Sequence, residues 1–251
     1  MSRRRHLAYA AAGLAAFLAL WEALSKSGLM QATLVPPPSS VPAAFVEELT
    51  SGIWLQMVGE SLRHYAAGLI LGSAFGVAAG VAVARMPRLE AAQAWIARVL
   101  RPIPPLAWIP FAIIWFGVSE TAATFIISIG IFWINYYTAL GAVQAVDRRL
   151  LELADAFGHE RAWARLTKII LPASAPAILS GLRTGIGQGW MTVVAAEIFG
   201  ISGIGQRMIE ASGLLATNVV IVYMLTISAL YGLTDFGFVL VRNRVLAWQR
   251  S

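Results

Sequence analysis

Uninterrupted apolar runs constrain the fold of this chain more than any other feature. Four runs of 18 residues or more contain no Asp, Glu, Lys or Arg: Ala66–Ala84, Pro102–Ser119, Thr121–Val146 and Ala211–Thr234. Two further runs, Leu7–Leu24 and Thr184–Gln206, carry one acid each, Glu22 and Glu197. About 20 such residues cross the core of a bilayer as a helix. The sequence therefore predicts an all-α integral membrane protein with six transmembrane helices.

The composition excludes an ordinary water-soluble domain. Of the 251 residues, 58% are hydrophobic and 13% are charged, with a mean hydropathy of +0.70, whereas a soluble domain carries about 25% charged residues. The formal charge is +6, which positively charged cytoplasmic loops explain, so no nucleic-acid partner is predicted. The chain has no cysteine, which excludes disulfides, thiolate metal sites and thiol catalysis.

The distribution of basic residues sets the predicted orientation. With the N-terminus in the cytoplasm, four cytoplasmic segments hold most of the 19 Lys and Arg residues: Arg3–Arg5, Arg85–Arg101, Arg148–Lys168 and Arg242–Arg250. Both termini are therefore predicted to be cytoplasmic. The first run resembles a secretory signal, but Trp21 and Glu22 suit a cleavage site poorly and five more runs follow. We interpret it as an uncleaved helix.

The runs predict one transmembrane domain over residues 1–251. It comprises a first helix at 1–24, an extracytoplasmic loop at 25–57 and a core at 58–251. The prolines of the loop forbid a regular helix over 36–42. Pro42 followed by Glu47 and Glu48 indicates a short surface helix along the membrane.

Glycine and proline modify two of the predicted spans. The second span carries glycines at every fourth position, on one helical face where a neighbouring backbone can approach closely: Gly68, Gly72, Gly76 and Gly80. This pattern predicts tight helix packing. The third span has four prolines, which break an ordinary helix: Pro102, Pro104, Pro105 and Pro110. Broken helices at membrane depth face protein or a water-filled path, and both interpretations remain open here.

Polar residues within the spans are the candidates for a translocation path. The predicted set is Asn135, Tyr136, Gln188, Trp190, Thr192 and Glu197. A buried amide or carboxylate needs a partner, so each of these residues can instead bridge helices. Arg183 is expected nearer the cytoplasmic exit. Asp235 is expected close to the inner interface and the Arg242–Arg244 pair.

The longest polar stretch after the first spans is Asp147–Pro172, the 147–172 segment. Its spacing predicts two short amphipathic helices, the first ending near Gly158 and the second running from Glu160 to about Ile169. Pro172 and Pro176 are expected to frame the return into the membrane. The pair either rests on acidic lipid headgroups or docks to a protein.

The chain lacks the motifs of nucleotide binding and of common catalysis. No G-x-x-x-x-G-K-[ST] occurs, and neither H-E-x-x-H nor G-x-S-x-G is present. The three histidines, at 6, 64 and 159, are scattered. We therefore expect no metal, no cofactor and no enzymatic activity in this chain, and transport is the leading function class.

The 147–172 segment carries a specific resemblance. Glu152-Leu153-Ala154-x-x-x-Gly158, followed by Ile170-Leu171-Pro172, resembles the cytoplasmic loop of binding-protein-dependent ABC importer permeases, E-A-A-x-x-x-G-x(9)-I-x-L-P. This chain departs from the pattern at Leu153, and its interval from Gly158 to Pro172 is one residue longer. RPIPPLAWIPFAIIWFGVSE, LPASAPAILSGLRTGIGQGW and VVAAEIFG are similar to the branch that imports taurine, alkanesulfonates and nitrate.

The resemblance implies a type I importer permease in a bacterial inner membrane. Two permease chains, commonly a homodimer, would form the pathway, and two cytoplasmic ATPase subunits would bind ATP and Mg²⁺. An extracytoplasmic binding protein would deliver the solute. The 147–172 segment would dock into the ATPase, with these coupling residues: Glu152, Ala154, Gly158, Arg161 and Pro172.

The resemblance also implies a small anionic or zwitterionic solute such as taurine, an alkanesulfonate or nitrate. Related permeases handle thiamine precursors or aromatic carboxylates, so these classes remain alternatives. A stand-alone secondary transporter is a further alternative. It would require coupling charges in mid-membrane and an inverted repeat, and neither is evident in the sequence.

Overall fold

The structure is a computed structural model that describes residues 3–28, 31, 33–157 and 161–249. Over these residues the chain is helical and contains no strand. The helices are α1 Arg3–Lys26, α2 Val41–Thr50, α3 Ile53–Arg85, α4 Pro87–Leu100, α5 Ile109–Phe116, α6 Glu120–Gln144, α7 Arg148–Ala156, α8 Ala162–Arg165, α9 Leu171–Glu197, α10 Ile204–Gly213 and α11 Thr217–Val245. Short 3₁₀ turns lie at Pro38–Ser40, Pro105–Trp108 and Ala247–Gln249, and a π-helical turn at Leu166–Ile170.

Five helical stretches are long and apolar enough to cross a membrane, and a bent pair of helices can supply a sixth crossing. The five are Ala8–Lys26, Ile53–Arg85, Glu120–Gln144, Ala162–Glu197 and Thr217–Val245. The all-α membrane fold is confirmed. The predicted first, second and fourth spans coincide with α1, α3 and α6, although α3 begins ahead of the expected core boundary at residue 58.

The third predicted span, Pro102–Ser119, is broken, as its four prolines led us to expect. After α4 the chain passes through the 3₁₀ turn at Pro105–Trp108 into α5, and the two helical parts meet at 93°. The prolines interrupt the helix because each lacks a backbone N–H donor. At about 1.5 Å per residue, 105–116 extends roughly 20 Å, short of a hydrocarbon core of about 30 Å.

The predicted fifth and sixth spans have the wrong boundaries. Thr184–Gln206 was expected to be one helix, but α9 starts at Leu171 and ends at Glu197. Pro172 lies in the first turn of α9, directly after the π-helical turn, and Pro176 lies inside the helix. The expected Ala211–Thr234 span is divided by a turn at Leu215, whose φ is +57°, and α11 continues past it to Val245.

The chain divides into two compact units, described separately below. The first comprises Met1–Glu60 with Ser202–Ser228, and the second comprises Ser61–Ile201 with Ala229–Ser251. In the first unit α2 packs its Val41 and Ala44 against Val222 of α11. The predicted surface helix is therefore present as α2, but its Glu48 is buried rather than exposed.

In the second unit the glycine stripe of α3 brings that helix against the backbone of α6. A Cβ at Gly72, Gly76 or Gly80 would lie 2.4–2.7 Å from the carbonyl oxygens of Ser128, Phe132 and Tyr136, respectively. Such distances are too short for any side chain, so only glycine allows this approach. The predicted tight packing of the second span is confirmed.

Helix α9 uses a second row of glycines in the same unit. A Cβ at Gly181 would meet the side chain of Thr138 of α6 at 2.6 Å, and one at Gly189 would meet the ring of Tyr65 at 2.8 Å. Small residues on α9 therefore let α6 and α3 pack closely against it, and they position Gln188 and Trp190 between neighbouring helices.

Candidate functional site

The first half of the 147–172 segment forms an ordered amphipathic helix. The carboxylate of Asp147 accepts a hydrogen bond from the backbone N–H of Arg149 at 2.9 Å, which caps α7. Ala154 is buried, whereas Glu152 is exposed and lies 3.8 Å from Arg148. Leu150, Leu153 and Phe157 are exposed apolar side chains in this half. The helix therefore presents apolar and charged groups together on its accessible side.

The second half of the segment continues directly into α9. After Arg161 the chain forms α8 and then the π-helical turn, in which the N–H of Leu171 donates to the carbonyl of Leu166. The side chain of Trp163 is 72% exposed. A guanidinium N–H of Arg85, at the end of α3, donates to the carbonyl of Ala162 at 3.0 Å. The segment is thus anchored to two long helices.

A π-helical turn lies within the interval that is longer than the importer pattern. A π turn holds one more residue than an α turn, and the interval between Gly158 and Pro172 exceeds the pattern by one residue. The turn at Leu166–Ile170 leads directly into α9, whose second residue is Pro172. Gly158 itself, with His159 and Glu160, lies outside the described residues, so its predicted role stays a prediction.

Asn135 and Tyr136 lie inside helix packing of the second unit. The amide nitrogen of Asn135 donates to the hydroxyl of Ser73 on α3 at 3.1 Å, and a Cβ at Gly185 of α9 would lie 3.2 Å from it. The ring of Tyr136 is buried and stacks on Phe132 with centroids 5.8 Å apart. These positions link α6 to its neighbours.

Three of the four candidates on α9, Gln188, Trp190 and Thr192, differ in accessibility. Trp190 is buried, stacks on Tyr65 with ring centroids 4.3 Å apart and donates its indole N–H to Thr234 at 3.1 Å. Thr192 is buried and donates to the carbonyl of Gln188. Gln188 borders a cavity of about 320 Å³. Of the six candidate path residues, Gln188 is therefore the one that lines a described cavity; the transport roles of all six stay predictions.

Glu197 belongs to a buried polar cluster that the sequence reading missed. Ser61 donates its hydroxyl to the carboxylate at 2.8 Å, and Nδ1 of His64 lies 3.0 Å from Oε1. All three side chains are almost fully buried. Ser61 and His64 sit on the same face of α3, but no local pattern connects them to a residue 133 positions away.

Arg183 and Asp235 bind each other. Nε and Nη2 of Arg183 donate to the two carboxylate oxygens of Asp235, each at 2.7 Å. This forked geometry is the strongest form of Arg–carboxylate pairing. Asp235 was expected close to the Arg242–Arg244 pair, but its hydrogen-bonded partner is Arg183; the place of Arg183 near the cytoplasmic exit stays a prediction. The two charges neutralise each other between α9 and α11.

In the first unit, Glu48 of α2 is the centre of a second buried cluster. Nε of Arg207 donates to Oε2 of Glu48 at 3.2 Å, its Nη2 donates to Oε1, and the hydroxyl of Tyr223 donates to Oε2 at 2.7 Å. Burial raises the pKa of Glu48, but these hydrogen bonds outweigh it and the net pKa is lowered from 4.5. The same hydrogen bonds raise the pKa of Arg207.

Comparison with known proteins identifies the family. Residues 72–247 match the family described as the binding-protein-dependent transport system inner membrane component. The chain belongs to this family of ABC importer permeases. It is 32% identical over 245 residues to the taurine transport system permease protein TauC of Escherichia coli, covering 94% of this chain and 87% of that one.

Two other relatives extend the range of named solutes. This permease is 30% identical over 239 residues to the putative aliphatic sulfonates transport permease protein SsuC of Bacillus subtilis, covering 94% and 86% of the two chains. It is 32% identical over 211 residues to the bicarbonate transport system permease protein CmpB of Synechococcus elongatus, covering 77% and 73%.

A solved structure supports the fold. The inward-facing MetNI methionine ABC transporter matches with a TM-score of 0.66 at 20% identity, covering 76% of this permease and 95% of that chain. At this identity the likeness establishes the permease fold alone.

Proposed function

We propose that this permease subunit forms the membrane pathway of an ATP-driven importer for a small anionic or zwitterionic solute. In the proposed assembly two copies of the chain lie in a bacterial inner membrane with their termini in the cytoplasm. Two cytoplasmic ATPase subunits bind ATP and Mg²⁺, and an extracytoplasmic binding protein delivers the solute. Family membership alone does not establish the solute, the coupling route or the homodimer. These three points are what we propose.

The observation that carries the coupling proposal is the accessible apolar surface of the 147–172 segment. Exposed aromatic side chains are enriched at the energetic centres of protein interfaces, and this segment exposes Phe157 and Trp163 beside the charged Glu152 and Arg161. The segment also begins just after the end of α6 and continues into α9. An ATPase that grips it can transmit a rigid-body displacement because α8, the π turn and α9 form one helical stretch, Ala162–Glu197.

The solute class follows from the named relatives and from the lining of the cavity beside Gln188. The relatives are named for taurine, aliphatic sulfonates and bicarbonate, which are small anions or zwitterions. Among the described residues that line that cavity, Arg101 is the charged one and none is a carboxylate. A positive, partly apolar lining favours such solutes over cations.

Reconstitution tests both parts of this proposal. A candidate ATPase and a candidate binding protein from the same organism are assembled with the chain in proteoliposomes. ATP-driven uptake is then measured for labelled taurine, an alkanesulfonate, nitrate, bicarbonate, a thiamine precursor and an aromatic carboxylate. We expect uptake of one of the first four. Preference for either of the last two would replace the solute class, and uptake by the chain alone without ATP would support a secondary transporter instead.

Coupling is tested by Trp163→Ala in the same vesicles. Loss of an aromatic anchor of an interface costs about 2 kcal/mol or more, so we expect solute-stimulated ATP hydrolysis and uptake to fall at least about tenfold. The matched control is Trp95→Ala on α4, where the tryptophan is similarly exposed but lies outside the segment. Equal effects of the two substitutions would contradict docking at 147–172.

A further inference from the structure

The lining of the cavity beside Gln188 combines an arginine with neutral polar and apolar side chains. It has a volume of about 320 Å³ and lies in the second unit between the 101–105 stretch, α6 and α9. This volume falls at the lower end of the range of about 300–1,000 Å³ that is typical of small-molecule sites. Its apolar walls include Ile103, Ile129 and Ile134.

Arg101 carries the one charge among the residues that line this cavity. Its guanidinium carbon lies 4.4 Å from the ring centroid of Tyr137, a cation–π contact that orients the planar group without neutralising it. Within the described part of the chain, no carboxylate lies close enough to form an ion pair with Arg101. Arg183, in contrast, is fully engaged by Asp235. Arg101 therefore retains the capacity to bind an anion.

Neutral donors complete the polar part of the lining. The amide of Gln188 makes only a long contact of 3.4 Å with Thr192 and has a second N–H. Tyr137, whose ring contacts the guanidinium of Arg101, also lines the cavity and carries a hydroxyl donor. Thr138 is different, because its hydroxyl already donates to the carbonyl of Ile134 at 2.8 Å. The donors that the lining offers a ligand thus include those of Arg101, Tyr137 and Gln188, together with the indole N–H of Trp133.

A neighbouring cavity shares part of this lining. It has a volume of about 560 Å³, and Arg101 and Tyr137 line both cavities. The carboxylate of Glu90 borders the neighbouring cavity and accepts a hydrogen bond from Gln144 at 2.8 Å. A ligand held by Arg101 therefore has a second space beside it, as a transient binding position requires.

We propose that the Arg101–Tyr137–Gln188 cavity is a binding site for the acidic head of a short organic sulfonate or carboxylate. The guanidinium and the amide bind the oxyanion, and the isoleucine walls accept a short carbon skeleton. In the importer this site is a low-affinity station on the translocation route, and that part of the inference rests on the proposed function. The anion site itself does not.

Cysteine chemistry can test the site on the permease alone, because the natural chain contains no cysteine. Gln188→Cys is reacted in lipid nanodiscs with two methanethiosulfonate reagents, one bearing a sulfonate and one a trimethylammonium group. Met191→Cys is the control, on the same helix but 72% exposed and outside the cavity. A focused positive potential raises local anion concentration by about tenfold or more.

We expect the ratio of sulfonate to ammonium reaction rates to be at least about tenfold higher at position 188 than at position 191. Adding Arg101→Gln abolishes this difference, whereas adding Arg88→Gln, at an exposed arginine of α4 outside both cavities, retains it. Equal ratios at 188 and 191, no effect of Arg101→Gln, or no reaction at 188 while 191 reacts would each overturn the site.

Transport then separates this inference from the proposed function. If the site is a station on the route, Arg101→Gln lowers sulfonate uptake by the reconstituted importer at least about tenfold, and Arg101→Lys restores part of it because the charge returns without the fork. Normal uptake by the Arg101→Gln variant would show that the site does not lie on the translocation route, and the proposed importer function would stand. A wild-type complex that imports no anion would refute the proposed function, and the reagent preference would still decide the site.

Discussion

Two buried carboxylates, one in each compact unit, are held in different ways. Glu48 meets the guanidinium of Arg207, a group that remains charged at every ordinary pH. Glu197 meets the hydroxyl of Ser61 and the imidazole of His64, whose charge depends on protonation. The first cluster therefore contains a permanent charge pair, whereas the second joins its carboxylate to a hydroxyl and an imidazole. Substitutions should separate these two modes.

The largest effect is expected for Arg207→Met. Removing one partner of a buried ion pair leaves an uncompensated charge and costs about 3–5 kcal/mol, so the melting temperature of the detergent-solubilised permease should fall by on the order of 10 °C. Adding Glu48→Gln should recover a substantial part of the loss, since the stranded charge is then absent. A double variant no more stable than Arg207→Met would contradict this account of Glu48.

Glu197→Leu is expected to have the next largest effect. The substitution leaves buried polar atoms of Ser61 and His64 without their acceptor, which costs about 1–3 kcal/mol. Thermal unfolding followed by tryptophan fluorescence measures the loss. Adding His64→Phe should be milder than the sum of the two single substitutions, because both polar partners are removed together. Strict additivity would show that the two side chains do not interact.

Tyr223→Phe removes one hydrogen bond to Glu48 and retains the ring. We expect a loss of about 1 kcal/mol in the free energy of unfolding. Tyr231→Phe on the same helix is the control, because Tyr231 is exposed. A loss as large as that of Arg207→Met would mean that Tyr223, rather than the arginine, is the main partner of Glu48.

Acid should produce the smallest effect. The pKa of Glu48 in the folded protein lies below its ordinary value of 4.5. Its contribution to stability is therefore complete above pH 4.5 and is lost only as the pH falls through the lowered pKa. In urea titrations from pH 6 to pH 3, Glu48→Gln should show a smaller decline in stability than the wild type. Parallel declines would assign the acid sensitivity to other carboxylates.

The sequence predicted α1 and α6 closely, because their apolar runs end near the ends of the helices. It misplaced the start of α9 and the end of α11 for one shared reason. The fifth predicted span began after Arg183 and the sixth stopped before Asp235, because each charge was taken as a boundary. In the structure these two residues form an ion pair across 52 positions, so both helices continue through them. A long-range pair of this kind cannot be recognised from one sequence alone.

The candidate site was predictable to a similar extent. The amphipathic character of the 147–172 segment follows from its spacing, and α7 begins and ends close to the expected residues. The π-helical turn depends on the local backbone hydrogen bonds, which the spacing does not determine. Glu48 was expected on a short surface helix, but its burial depends on α2 packing against α11. Arg101 was read only as a marker of orientation.

The glycine stripe limits the motions by which an importer of this kind can work. Gly72, Gly76 and Gly80 each face a carbonyl of α6, and both rows repeat every four residues. If α3 slid lengthwise along α6, its backbone would clash with the carbonyls of α6. The clash would be relieved only after a shift of four residues, about 6 Å at 1.5 Å per residue. Small sliding steps between these two helices are therefore excluded. Opening and closing of the pathway must carry α3 and α6 together, with the relative displacement taken up at other helix contacts.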